Sequence, residues 1–99
     1  MSGESEFLEF KAQYTDRIYR EVIAFANTGG GVIRLGVSDD GDAKGLADID
    51  DVYTRVTNGI RDAIAPDVTM FVKYRLPGDG TITIEVSEGA VKPYYLKAK

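Results

Sequence analysis

The spacing of apolar positions changes repeatedly along the chain, and each change marks an element. Residues 7–11, FLEFK, alternate, with Leu8 and Phe10 on one face and Glu9 and Lys11 on the other, as in a short strand. After Thr15 or Asp16, either of which can cap a helix, Ile18, Tyr19, Val22, Ile23 and Ala26 recur at helical spacing. Asn27-Thr28-Gly29-Gly30 ends that helix, and residues 32–38, VIRLGVS, return to period two with Ile33, Leu35 and Val37 on one face. DDGDAKG is turn material. A second amphipathic helix runs through Ile49, Val52, Tyr53, Val56, Ile60, Ala63 and Ile64, with Asp48 as its cap and Pro66 limiting its end. A third strand is expected over 68–76, with Val68, Met70, Val72, Tyr74 and Leu76 on one face. The Pro77-Gly78-Asp79-Gly80 turn leads to a fourth over 81–86, with Ile82, Ile84 and Val86 inward.

The predicted order is β-α-β-α-β-β, an α+β fold. Right-handed crossovers place both helices over one face of a four-stranded sheet. The other face then carries Glu9, Lys11, Arg34, Thr69, Phe71, Lys73, Arg75, Thr81, Thr83 and Glu85. Two readings of that face stay open. It is a solvated or partner-covered surface, or it is a nucleic-acid surface on which Lys11, Arg34, Lys73 and Arg75 contact phosphates.

Composition narrows the chemistry. The 99 residues suffice for one domain and not for two. No apolar run approaches the roughly 20 residues of a membrane span, and the N-terminus lacks a secretory pattern, so a cytoplasmic protein without membrane contact is expected. With no cysteine and no histidine, disulfides, thiol nucleophiles, Ser-His-Asp triads and the usual zinc sites are excluded. A bound metal would be an oxygen-seeking cation such as magnesium or manganese. The net charge of −4 counts against bulk attraction to nucleic acid. The charge is uneven, however: six of the thirteen residues in 39–51 are acidic, while 89–99 hold three lysines and no acid.

The three glycines at 29–31 invite a phosphate-loop reading, and their polarity opposes it. Phosphate loops run strand, glycines, helix, so that the phosphate meets the free N–H groups of a helix N-terminus. Here the order is helix, glycines, strand, and the groups left free at a helix C-terminus are carbonyls. A glycine with positive φ is a natural helix stop, so ATP binding has no support in this segment. The carboxylates are a separate matter. Glu4 and Glu9 lie five apart around the first strand, and Asp39 and Asp40 follow the second. Parallel strands joined by a helix are often neighbours, so these groups can converge as a magnesium or manganese site; Asp40-Gly41 is equally an ordinary turn.

Taken together, GESEFLEFK, AFANTGGGVIRLGVSDDG and the distal KPYY resemble the Schlafen-type Alba-like domain (AlbA_2, earlier described as a divergent AAA domain) over roughly residues 3–97. The resemblance implies an Alba-like α+β fold and a place at the N-terminus of prokaryotic transcriptional regulators. It also implies a fragment of a longer protein, since members usually continue through another strand. In the vertebrate branch a similar domain is an RNA endonuclease with three carboxylates and a divalent cation. Matched motif to motif, these fall on Glu4, Glu9 and Asp40, with Lys11 beside them as an assisting catalytic group. That nuclease has two lobes forming a basic cleft, and this chain supplies one, so a homodimer is a further expectation. The preferred function is therefore a DNA- or RNA-binding domain of a transcriptional regulator. The alternatives are a magnesium- or manganese-dependent nuclease and a dimerisation domain without catalysis.

Overall fold

The computed structural model describes residues 7–98. The elements are β1 (Leu8–Lys11), α1 (Arg17–Asn27), β2 (Gly31–Leu35), α2 (Ile49–Ala63), β3 (Ile64–Ala65), β4 (Val72–Arg75), β5 (Ile82–Val86) and β6 (Tyr95–Leu96), with a 3-10 turn over Thr69–Phe71 before β4. Four strands form a mixed sheet in the order β1-β2-β5-β4: β1 and β2 are parallel and the other pairings antiparallel. The two-residue strands β3 and β6 pair as a small second sheet.

The core forms where the helical and strand periods meet. Ile18, Val22, Phe25 and Ala26 of α1 and Val56 and Ile60 of α2 bury one stripe each against Ile33, Leu35, Ile82 and Ile84 of the central strands. Each such aliphatic side chain contributes about 1.5–3 kcal/mol relative to exposure. The helices cross at Gly59, where a Cβ would lie only 1.8 Å from the Tyr19 hydroxyl. That hydroxyl hydrogen-bonds to Tyr14 Oη at 2.6 Å, and the Arg55 guanidinium lies 5.5 Å above the Tyr14 ring. Burial, then the Tyr14 contact, push the Tyr19 phenol well above its ordinary pKa.

Both helix starts follow the expected chemistry. Asp48 accepts from Asp51 N at 3.1 Å; at α1, Thr15 rather than Asp16 supplies the side-chain acceptor, taking a hydrogen bond from Arg17 N. Helix α1 stops at the glycines as expected. Gly30 has φ +87° and donates its N–H to Phe25 O at 2.9 Å.

Three expectations are corrected. The strand expected over 68–76 begins only at Val72, because Asp67 takes the Thr69 N–H and hydroxyl and turns the chain. Met70 and Leu76, expected inward, are exposed, Met70 to 83%. The strand expected over 32–38 ends at Leu35, because Gly36 has φ +84°. Val37 makes only an isolated bridge to Ala43.

The third correction concerns the faces of β1. The register pairs Leu8 with Val32 and Phe10 with Arg34, while Glu9 and Lys11 pair with the core residues Ile33 and Leu35. Paired residues point to the same side of a sheet. Glu9 and Lys11 therefore lie on the helix-covered side, at its edge, and Leu8 and Phe10 lie on the other side, where Phe10 is nonetheless buried, at 5% exposure. Alternation fixes which residues share a face; only pairing fixes which face it is.

Candidate nucleic-acid interface

The open face is built row by row from the register. One row runs Leu8, Val32, Glu85, Lys73 across the four strands, and the next runs Phe10, Arg34, Thr83, Arg75. Both helices lie on the other side. In the first row apolar Leu8 and Val32 give way to charged Glu85 and Lys73; in the second, a buried Phe10 adjoins Arg34, Thr83 and Arg75. Arg34, Lys73 and Arg75, three of the four expected phosphate contacts, share this face; Lys11 does not. Of the other residues expected here, Thr83 and Glu85 are present. Phe71 instead packs on the core, edge-on to Tyr94 with ring centroids 6.5 Å apart. Thr69 sits in the 3-10 turn, and Thr81 is buried, donating its hydroxyl to Asp79 at 2.5 Å.

Charge on the open face is partly self-compensated. Arg75 Nε donates to Glu85 Oε2 at 2.6 Å, with the arginine side chain 65% exposed. Lys73 stands beside Glu85 in register and forms no ion pair among the described residues. The Asp79 carboxyl is held below its usual range by the Thr81 hydroxyl and backbone, with a smaller contribution from the Arg34 guanidinium. At the glycine end, a shallow groove of about 380 Å³ is lined by Phe7, Gly29, Gly31, Val32, Glu85 and Ser87.

The expected carboxylate site falls at the opposite end of the sheet. Gly36 N and Val37 N both donate to Lys11 O, at 2.7 and 3.3 Å, so the loop bearing Asp40 springs from the end of β1. The loop is held in place by the Gly36, Gly45 and Gly80 backbones, all at positive φ. A Cβ on Gly80 would approach Gly45 Cα to 3.1 Å. Within it, Ser38 Oγ donates to Asp40 Oδ1 at 2.5 Å and Asp42 N donates to the same oxygen at 3.2 Å. The Ser38 bond foremost lowers the Asp40 pKa. Glu9 pairs with Lys11 at 3.2 Å, both partly buried. Glu4 lies outside the described residues, and among those described no three acidic side chains gather as a metal site. Asp39 is an exposed turn residue.

Sequence reasoning missed Asn27. Its side-chain amide works as a strand would: Nδ2 donates to Tyr94 O at 3.0 Å and Oδ1 accepts from Tyr94 N at 2.7 Å. Gly89 N donates to Ala26 O and Val91 N to Tyr94 Oη, so the KPYY segment is strapped across the end of α1 and leads into β6. The signal was present as an Asn between a helix and glycines, but its partner stands 67 residues away.

The chain matches the Schlafen, AlbA_2 family over residues 4–99, and it belongs to that family. A similar solved structure is the N-terminal domain of a RecG-related protein from Nitrosomonas europaea, a candidate ATP-dependent DNA helicase. It has 23% sequence identity and a TM-score of 0.64, over 99% of this chain and 74% of that one. It shares the α+β fold. No curated protein matches the chain. Among the described residues no helix is long and apolar enough to cross a membrane.

Proposed function

We propose that this domain binds nucleic acid through the open face of its sheet. The observation that carries the reading is the register that puts Arg34, Arg75 and Lys73 on one face, in adjacent rows and away from both helices. Guanidinium and ammonium groups on a flat surface suit phosphates, and Thr83 between the two arginines adds a hydroxyl donor. The net charge of −4 does not oppose this locally, because the densest acidic run, 39–51, lies in the loop and helix that follow β2. Membership of the AlbA_2 family and likeness to a domain of a RecG-related protein favour a partner of this class. A DNA-binding domain of a transcriptional regulator is the specific form we favour.

The test is charge reversal. Lys73→Glu combined with Arg75→Glu should weaken binding of a labelled oligonucleotide by at least about 100-fold and flatten its salt dependence by about two phosphate contacts. Unchanged affinity in the folded variant would remove this surface from consideration.

A second reading, a divalent-metal nuclease, has one observation in its favour. The Asp40 loop is hydrogen-bonded to the end of the strand that carries Glu9 and Lys11. Among the described residues Glu9 and Asp40 are not joined by a third acidic side chain. Incubating transfer RNA with the protein and manganese decides it: cleavage that Glu9→Ala and Asp40→Ala each abolish, with binding intact, would establish the reading. No cleavage by the wild type would retire it.

A further inference from the structure

Resting on the nucleic-acid reading, we propose that the open face selects unpaired nucleic acid, with one base lodged in the groove beside Phe7 while the flanking phosphates lie on Lys73, Arg75 and Arg34. The split of the face carries the argument. In the row Leu8, Val32, Glu85, Lys73, apolar surface gives way to charge within the width of the sheet. Phe7, the residue before β1, is 55% exposed, and with Val32 it walls the groove of about 380 Å³. The groove is shallow, so a base would lie against Phe7 and Val32 rather than be enclosed.

A duplex keeps its bases stacked inside and offers only groove edges, which are read by a protruding helix or ribbon. Among the described residues, neither helix rises from this face. A sheet face with a marginal aromatic and cations alongside suits a single strand, whose bases swing onto the apolar surface while its backbone follows the charge. Glu85 sits at the junction. One carboxylate oxygen holds Arg75, and the other can accept a hydrogen bond from an exocyclic amine of the lodged base. Nothing lies within 4 Å of a Cβ built on Gly29, so a side chain there would fill the groove without displacing the fold.

The experiment is fluorescence anisotropy with a labelled twelve-nucleotide single strand, its duplex, and an abasic strand of equal charge. We expect the wild type to bind the single strand about tenfold tighter than the duplex or the abasic strand. Phe7→Ala and Gly29→Leu should each weaken single-strand binding about tenfold, leaving duplex binding and the salt slope unchanged. Circular dichroism verifies folding of both variants. Equal wild-type affinity for the normal and abasic strands would overturn the proposal, as would tighter duplex binding or full affinity in both variants. If Lys73→Glu with Arg75→Glu still abolished binding in those cases, only the base pocket would fall and the phosphate surface would stand. If that double reversal changed nothing, the underlying reading would fall as well.

Discussion

The two edges of the main sheet carry the same chemistry in opposite settings. At β1, Glu9 and Lys11 form an ion pair on the helix-covered side, with side chains only 26% and 19% exposed. At the β4 edge, Arg75 pairs with Glu85 on the open side, with the arginine 65% exposed. A solvated pair contributes about 0–1 kcal/mol and exchanges partners readily, whereas a partly desolvated pair becomes costly once one member is removed. The covered edge therefore holds its charges for the fold. The open edge has charges available to a ligand.

The contrast is broken most forcefully at the centre. Ile84→Ala, on the covered face, should lower unfolding free energy by about 3–4 kcal/mol in urea titrations. Thr83→Ala, its neighbour on the open face, should change it by less than about 0.5 kcal/mol. Next comes the strap that closes the covered side: Asn27→Ala should cost about 2 kcal/mol and speed amide exchange at Tyr94, whose N–H loses its acceptor. A smaller effect separates the ion pairs. Lys11→Ala should cost about 1–2 kcal/mol by leaving Glu9 half-buried without its counter-charge, and Arg75→Ala at most about 0.5 kcal/mol. If the two cost the same, the edges do not differ as described.

The gentlest probe is pH. Burial against Tyr53 and the core pushes the Tyr74 phenol up to about 12. Its folded pKa is raised, so its contribution is present below the unfolded value near 10 and is lost as pH rises through about 12. The Asp79 carboxyl, in the turn between β4 and β5, is depressed instead by its Thr81 hydrogen bonds. Its contribution is present above the unfolded value of about 4 and is lost as pH falls through its lower folded value. Melting curves should thus weaken at both extremes, with Tyr74→Phe removing part of the alkaline loss and Asp79→Asn part of the acid loss.

Much of this was legible in the chain. The periodicity from Ile18 to Ala26 and from Ile49 to Ile64 marked two helices, although Ile64 instead opens β3, and the order of helix, glycines and strand pointed to Gly29 or Gly30 as a helix stop, which Gly30 is. Arg34, Lys73 and Arg75 were placed correctly because they belong to strands whose alternate residues are strongly apolar. FLEFK was not: its apolar face, Leu8 and Phe10, was taken for the helix-covered side, and the register with β2 turns Glu9 and Lys11 there instead. The segment 68–71 was misread because a side chain, Asp67, captured the backbone donor that a strand would have used.

What the sequence determined alone is therefore local: the two helices and the four strands of the main sheet, helix caps, the glycine stop and the exclusion of thiol and imidazole chemistry. These depend on neighbours within a few residues. The tertiary structure decided which face of β1 meets the helices. It also decided that Asn27 would strap Tyr94, and that Phe7, Val32 and Glu85 would border one groove. Each of these depends on pairing between segments far apart in the chain, and a period of two has no means of saying which side of a sheet the core will occupy.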